Sequence, residues 1–450
     1  MKTSKKIVGL SAAALLVLTA CNPSSSDDEE TTGGETDTSG EVSTDISEAP
    51  EQTLVVWDQE VRGGQNEQME RLNEAFTDKY PNIKIERNSQ SFDDLQTTLR
   101  LALTGADAPD VVQANNSRSM MGQFVSSGQI QCLDDYVDAY EWDSRFAESI
   151  LSYSSYSDDA KVFGEGCVYG LPQVGETVGI YYSESKLDEL GLEYPETWDE
   201  LESQLAEIKD AGETPLVLGN IDKWPAGHVF GAIQGQYVEA DQISTLGFGN
   251  PGASWDTEEN IEAATELQTW VEEGYFNDGV NGADYDQVWQ NFANGEGVYL
   301  IAGSCLAADL GEAMGDDVRF ALPPSEGPTT TGGTGLPFAM TSAAKDPNVA
   351  AAYIDFITSD EAMQILAETG NVPVNNAADY ADEAEGVVAD VMTAFDELTT
   401  EGNITPYLDW ATENMDQVIG DALQNLIAGN STPEEFVQTL EEAYSEATNE

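Results

Sequence analysis

Two short runs decide the fold: Leu54-Val55-Val56-Trp57-Asp58-Gln59-Glu60 and Asp110-Val111-Val112-Gln113-Ala114-Asn115-Asn116. Each is a brief apolar run that breaks into polar residues, which predicts a buried strand followed by a loop. Between them, Met69, Leu72, Asn73, Phe76 and Tyr80 recur at helical spacing, and Pro81-Asn82 ends that helix. Ile83-Lys84-Ile85 alternates as a strand does. Leu95, Leu99 and Leu103 mark a second helix that stops near Gly105. A β-α-β-α-β order requires a parallel sheet with helices on its faces. Ligands of such sheets bind beyond the C-terminal ends of the strands. Those ends carry Trp57, Gln59 and Glu60 after the first strand, and Asn115 and Asn116 after the third.

Toward the C-terminus, Gly179-Ile180-Tyr181-Tyr182, Leu216-Val217-Leu218 and Val298-Tyr299-Leu300-Ile301 read as further strands. Thr197-Trp198-Asp199-Glu200-Leu201 opens a helix, with an N-cap threonine and acids in the first turn. Other helices are expected from Ile261 to Glu272, from Tyr285 to Asn294, and through most of the chain after Ala350. The folded part, from about Leu54 to Tyr444, suits two domains.

Toward the N-terminus, Lys2, Lys5 and Lys6 precede an apolar run from Ile7 to Leu18. It falls short of the roughly 20 apolar residues a membrane span needs, and reads as a secretory signal over 1–20. Leu18-Thr19-Ala20-Cys21 resembles a bacterial lipobox, making Cys21 the expected lipidation site. Residues 21–52 are polar, acidic and free of aromatics, which predicts a disordered tether. The expected location is the outer face of the cell membrane.

The 450 residues carry 84 acids against 17 lysines and arginines, a formal charge of −67. Loss of the three signal-peptide lysines takes the mature chain to about −70. Such a charge repels nucleic acid and anionic lipid, and suits a salt-rich or alkaline habitat in which ions screen the self-repulsion. Three cysteines remain for an oxidising compartment. Cys132 and Cys167 are expected to pair, although sequence does not fix connectivity, and Cys305 to be the odd, buried thiol. No spacing suggests a metal site, and no cofactor is expected.

Six segments, in order, resemble the family 1 extracellular solute-binding proteins, the sugar receptors of ABC importers. They are Phe76-Thr77-Asp78-Lys79-Tyr80-Pro81-Asn82-Ile83, Asp107-Ala108-Pro109-Asp110-Val111-Val112, Tyr169-Gly170-Leu171-Pro172, Gly179-Ile180-Tyr181-Tyr182, Pro195-Glu196-Thr197-Trp198-Asp199-Glu200-Leu201, and Phe292-Ala293-Asn294-Gly295-Glu296-Gly297 with Gly303-Ser304. The resemblance implies an α/β, two-lobe, periplasmic-binding-protein-like fold with three crossover hinge segments and a ligand cleft between lobes. It puts residues 53–174 and 327–374 in an N-terminal lobe, and 175–326 and 375–447 in a C-terminal lobe. The crossings fall near Gln173–Glu176, Pro324–Thr330 and Pro373–Asn375. It further implies a monomeric receptor without catalytic residues, whose partners are a small carbohydrate and permease subunits with their ATPase.

A sugar needs flat aromatic faces and paired donors and acceptors. Trp57, Gln59, Glu60, Asn115 and Asn116 meet that need from the first lobe, and Glu176 at the first crossing. Trp224, in Trp224-Pro225-Ala226-Gly227-His228, resembles the family's second-lobe aromatic wall, and Trp410 its lid; Tyr285 is a weaker candidate. Gly303-Ser304 and Gly333-Thr334-Gly335 lack the lysine and helix start of a phosphate loop, and read as close backbone approach to the ligand. His228, the single histidine, reads as a packing residue.

Overall fold

The computed structural model describes residues 42–105, 108–325, 327–400 and 402–448. The signal sequence, Cys21 and the tether to residue 41 lie outside them. The strands are β1 (Gln52–Asp58), β2 (Ile83–Ser89), β3 (Val111–Gln113), β4 (Ser155–Tyr156), β5 (Cys167–Val168), β6 (Gly175–Ser183), β7 (Tyr299–Gly303), β8 (Val318–Ala321), β9 (Thr329–Thr334), β10 (Phe338–Met340) and β11 (Asn403–Thr405). The first sheet has the order β10-β3-β1-β2. Its β1 runs parallel to both β2 and β3, with Leu54 opposite Ile85 and Val56 opposite Val111, and β10 joins antiparallel.

Alternation along β1 sends Leu54, Val56 and Asp58 to one face and Val55 and Trp57 to the other. Leu54 and Val56 pack on Met69, Leu72 and Phe76 of the helix Gly63–Lys79 and on the helices Pro347–Ile357 and Asp360–Glu368. Each such side chain taken fully from water contributes roughly 1.5–3 kcal/mol. The helix Phe92–Ala102 starts at Ser91, whose hydroxyl accepts the Asp94 amide, and buries Leu95 and Leu99.

The second sheet is built on β6. It pairs antiparallel with β7, β8 and β9, and β11 extends β9 in parallel. Ile180 of β6 shares a core with Trp198, Leu205, Ile233 and Trp270. Thr197 caps the helix Trp198–Asp210 by accepting the Glu200 amide. The apolar run Leu216-Val217-Leu218, expected to be a strand, makes only single bridges from Leu216 to Phe276 and Tyr299. It buries its side chains without a ladder.

Three segments connect the lobes. Leu171 still bridges Phe338 of the first sheet, whereas Gly175 pairs with Thr334 of the second, so the first passage is 172–174. The second lies between Thr334 and Phe338, at Gly335-Leu336-Pro337. This corrects the expected crossing at Pro324–Thr330: β8 and β9, on either side of it, both pair with β6 in the second sheet. Residues 327–334 accordingly leave the N-terminal lobe. The third passage bridges Val174 through Pro373.

The expected tether to residue 52 is also too long. Ile46 is buried on the first core, and the Asn82 side chain donates to the carbonyls of Ile46 and Ala49. A disulfide joins Cys132 to Cys167, with Cα atoms 5.7 Å apart, and secures β5 to the loop ahead of the helix Asp134–Tyr140. Asp134 lies beside it, but sulfurs in a disulfide are not thiolate ligands.

Candidate functional site

The polar ends of β1 and β3 are held rigidly. Asp58 is fully buried and takes two hydrogen bonds from the Arg87 guanidinium, at 2.6 and 2.8 Å. Arg87 also donates to the Glu60 carbonyl. Gln113 accepts the Gln59 amide at 2.9 Å and donates to the Glu60 carboxylate at 2.7 Å. The loop after β1 is therefore clamped from two neighbouring strands, and Gln59 is presented to the space between the lobes.

That space is a cavity of about 360 Å³. From the first lobe Gln59, Arg62, Gln65, Phe92, Asn115 and Asn116 line it. From the second come Glu176, Trp224, His228, Tyr285, Tyr407 and Trp410. The aromatic rings form an arc. Trp224 meets Tyr285 at 4.6 Å and His228 at 5.2 Å between centroids; His228 meets Tyr407 at 5.5 Å, and Tyr407 meets Trp410 at 5.3 Å. Phe92 closes the arc from the opposite lobe, edge-on to Trp224 at 6.4 Å. Trp224 is set by the sequence after it: Pro225 begins the helix Pro225–Tyr237, so Trp224 sits at its cap and His228 one turn in.

Several residues that line this cavity carry a buried polar atom without a hydrogen-bond partner. These atoms include Gln65 Oε1, Asn116 Oδ1, His228 Nδ1, the Tyr285 hydroxyl and the hydroxyls of Thr331 and Thr334. Leaving a buried donor or acceptor unmade costs about 1–3 kcal/mol each. Such a concentration marks a surface shaped for a hydrogen-bonding guest. Arg62 spans the cleft to Asp286 at 3.1 Å and lies over the Tyr285 ring.

Several ionisable groups here are displaced from their usual behaviour. Burial, with Glu60 nearby, pushes Glu176 up to about 7 against the opposing pull of Tyr407 and Arg62. Burial lowers His228 to about 4, so its imidazole is neutral near pH 7. Burial, with Glu176 adding to it, pushes the Cys305 thiol up to about 12. An acidic thiol would be needed for a nucleophile, and Cys305 is the reverse.

Of the residues singled out from sequence, Gln59, Asn115, Asn116, Glu176, Trp224, Tyr285, Thr334 and Trp410 line the cavity. Others do not. Trp57 points from the far face of β1 and packs beside Leu95 and Leu99, a consequence of strand alternation. Glu60 and Gly335 border a separate space of about 30 Å³ beside the crossings. Gly303 lies behind Glu176 and Cys305, and the buried Ser304 hydroxyl accepts the Thr177 amide. Gly333, with φ of 119°, presses on the Tyr153 ring where a Cβ would sit, so its role is packing.

Residues missed from sequence include Arg62, Phe92 and Tyr407. His228 and Cys305, read as packing and buried, both reach the cavity wall.

The multiple sugar-binding protein of Streptococcus mutans is 25% identical over 300 residues, covering 65% of this chain and 69% of that protein. The maltodextrin-binding protein MdxE of Bacillus subtilis is 25% identical over 299 residues, covering 63% and 68%. Among solved structures, a chitin oligosaccharide binding protein superposes with a TM-score of 0.75 at 19% identity, covering 89% of this chain and 99% of that one. RafE in complex with raffinose gives 0.66 at 19% identity, covering 88% and 100%. Residues 63–364 match the family described as bacterial extracellular solute-binding protein, and the chain belongs to that family.

Proposed function

We propose that this chain is a receptor that captures a carbohydrate between its lobes and delivers it to an ABC permease driven by an ATPase. The observation that carries this reading is the pairing of an aromatic arc with unpartnered polar atoms around one cavity. Pyranose rings present C–H faces to aromatics and a rim of hydroxyls to polar groups. The names of the relatives support the same substrate class.

The remainder of the reading follows from it. The receptor is monomeric and non-catalytic, and holds no nucleic acid. Membership of an extracellular family supports export, and the lipobox supports a membrane anchor at Cys21. Among the described residues no helix is long and apolar enough to cross a membrane.

Native mass spectrometry of freshly purified protein, followed by calorimetric titration with the co-purified ligand, tests the proposal. A saccharide released intact supports it; a hydrolysed product would instead indicate a glycosidase, which needs two carboxyl groups flanking the bond. A peptide would remove the carbohydrate reading.

A further inference from the structure

The charge of the cavity wall is lopsided. Five carboxyl groups line it: Asp93, Glu176, Asp222, Asp409 and Asp416, of which burial pushes Glu176 and Asp409 up to about 7. Among the described residues, none of the five lies within ion-pair distance of a lysine or arginine. The wall's two cations are already engaged elsewhere, Arg62 with Asp286 at 3.1 Å and Lys223 with Asp421 at 2.6 Å. Neither of those partners lines the cavity.

The hydrogen-bonding inventory leans the same way. Asn116 Oδ1 and Gln65 Oε1 can only accept, and both residues are more than nine-tenths buried. The Asn116 amide nitrogen donates to the Tyr153 carbonyl at 2.7 Å, which leaves its oxygen as the unpartnered end of the amide. Ionised carboxylates likewise only accept. Among the unpartnered buried atoms of the wall, the Arg62 Nε is the one obligate donor.

Like charges meet across the cleft. Asp93 follows Phe92 in the first lobe, Asp222 lies two residues before Trp224 in the second, and those two rings touch at 6.4 Å. Burial and then the charges of Asp222 and Asp94 raise the Asp93 carboxyl above its ordinary value, against a smaller opposing pull from Arg62. An ammonium between them removes that repulsion, and the faces of Trp224 and Tyr285 add cation–π attraction.

We infer that the preferred ligand is a saccharide bearing a free, protonated amine, with the ammonium held between Asp93 and Asp222 across the cleft. This rests on the carbohydrate reading above and narrows it from sugars in general to amino sugars.

The test is competitive. The mature chain, in about 0.5 M salt to screen its overall charge, is mixed with partially acetylated chitosan oligosaccharides, cellodextrins, maltodextrins and spermidine. Retained species are read by native mass spectrometry and their affinities by calorimetry. The expected result is about tenfold preference for free-amine oligosaccharides over neutral ones of equal length. Asp222→Asn, an isosteric change at an exposed position, should cut that preference to within about twofold. Preferential retention of N-acetylated or neutral chains overturns the amine inference and leaves the carbohydrate reading standing. Retention of spermidine alone, or of nothing, overturns both.

Discussion

Two glutamates, each beside tryptophan and tyrosine, show how one chemistry serves two ends. Glu266 sits in the second-lobe core, where it accepts the Trp198 indole N–H at 2.6 Å and the Tyr237 hydroxyl at 2.5 Å. Trp198 stacks on Trp270 at 5.7 Å. Glu176 sits at the cavity with Trp224, Tyr285 and Tyr407. Burial pushes both carboxyls up to about 7. The difference lies in the donors: Trp198 and Tyr237 are both bonded to Glu266, whereas the Tyr285 hydroxyl beside Glu176 has no partner. A displaced carboxyl therefore does not by itself mark a site.

The largest effect expected is Trp198→Ala. It opens a cavity in the core and removes one of the two donors to Glu266, leaving the Tyr237 hydroxyl, at a cost of about 3–5 kcal/mol. Urea denaturation should show this, with ligand affinity of the folded fraction unchanged. A small loss would mean that the core network is as dispensable as the cavity wall.

Next is Glu266→Gln. The folded carboxyl holds its proton to about 7, while an unfolded glutamate loses it near the ordinary 4.5. Between those values the folded state binds the extra proton, so stability is highest at low pH and falls as pH rises through 7. Glutamine removes that slope, and should raise stability at pH 8 relative to pH 5 by about 2 kcal/mol over the parent. Parallel stability curves for the two proteins would refute the assignment.

Trp224→Ala should weaken carbohydrate binding by about tenfold or more while the melting temperature barely moves, because its ring faces the cavity. Unchanged affinity in calorimetry removes Trp224 from the site. The smallest effect concerns Glu176. Its carboxyl ionises around pH 7 and then only accepts, so binding of a donor-rich ligand should strengthen about threefold from pH 6 to 8. Glu176→Gln should flatten that profile.

The sequence made the first sheet readable because Leu54-Val55-Val56 and Val111-Val112 carry their strands on apolar side chains. It hid β9, whose Thr329-Thr330-Thr331-Gly332-Gly333-Thr334 offers no apolar run, yet is buried throughout. That concealment moved the second crossing by several residues. Leu216-Val217-Leu218 erred in the other direction, since burial of an apolar run does not require a ladder. At the site, Trp224 and Tyr285 were legible as aromatics on loops and helix starts. His228, Tyr407 and Phe92 were not, because their function depends on meeting one another from distant parts of the chain.

The position of β10 has a consequence for biosynthesis. This strand supplies the edge of the first sheet beside β3, and the helices after it supply Val349, Tyr353 and Leu366 to the first core. A ribosome therefore releases the opening strands long before the pieces that complete their lobe. Contacts this distant in sequence close slowly, so the nascent chain stays pliable through most of its synthesis. A polypeptide exported through a narrow channel must remain pliable in just that interval, and a discontinuous lobe favours that delay.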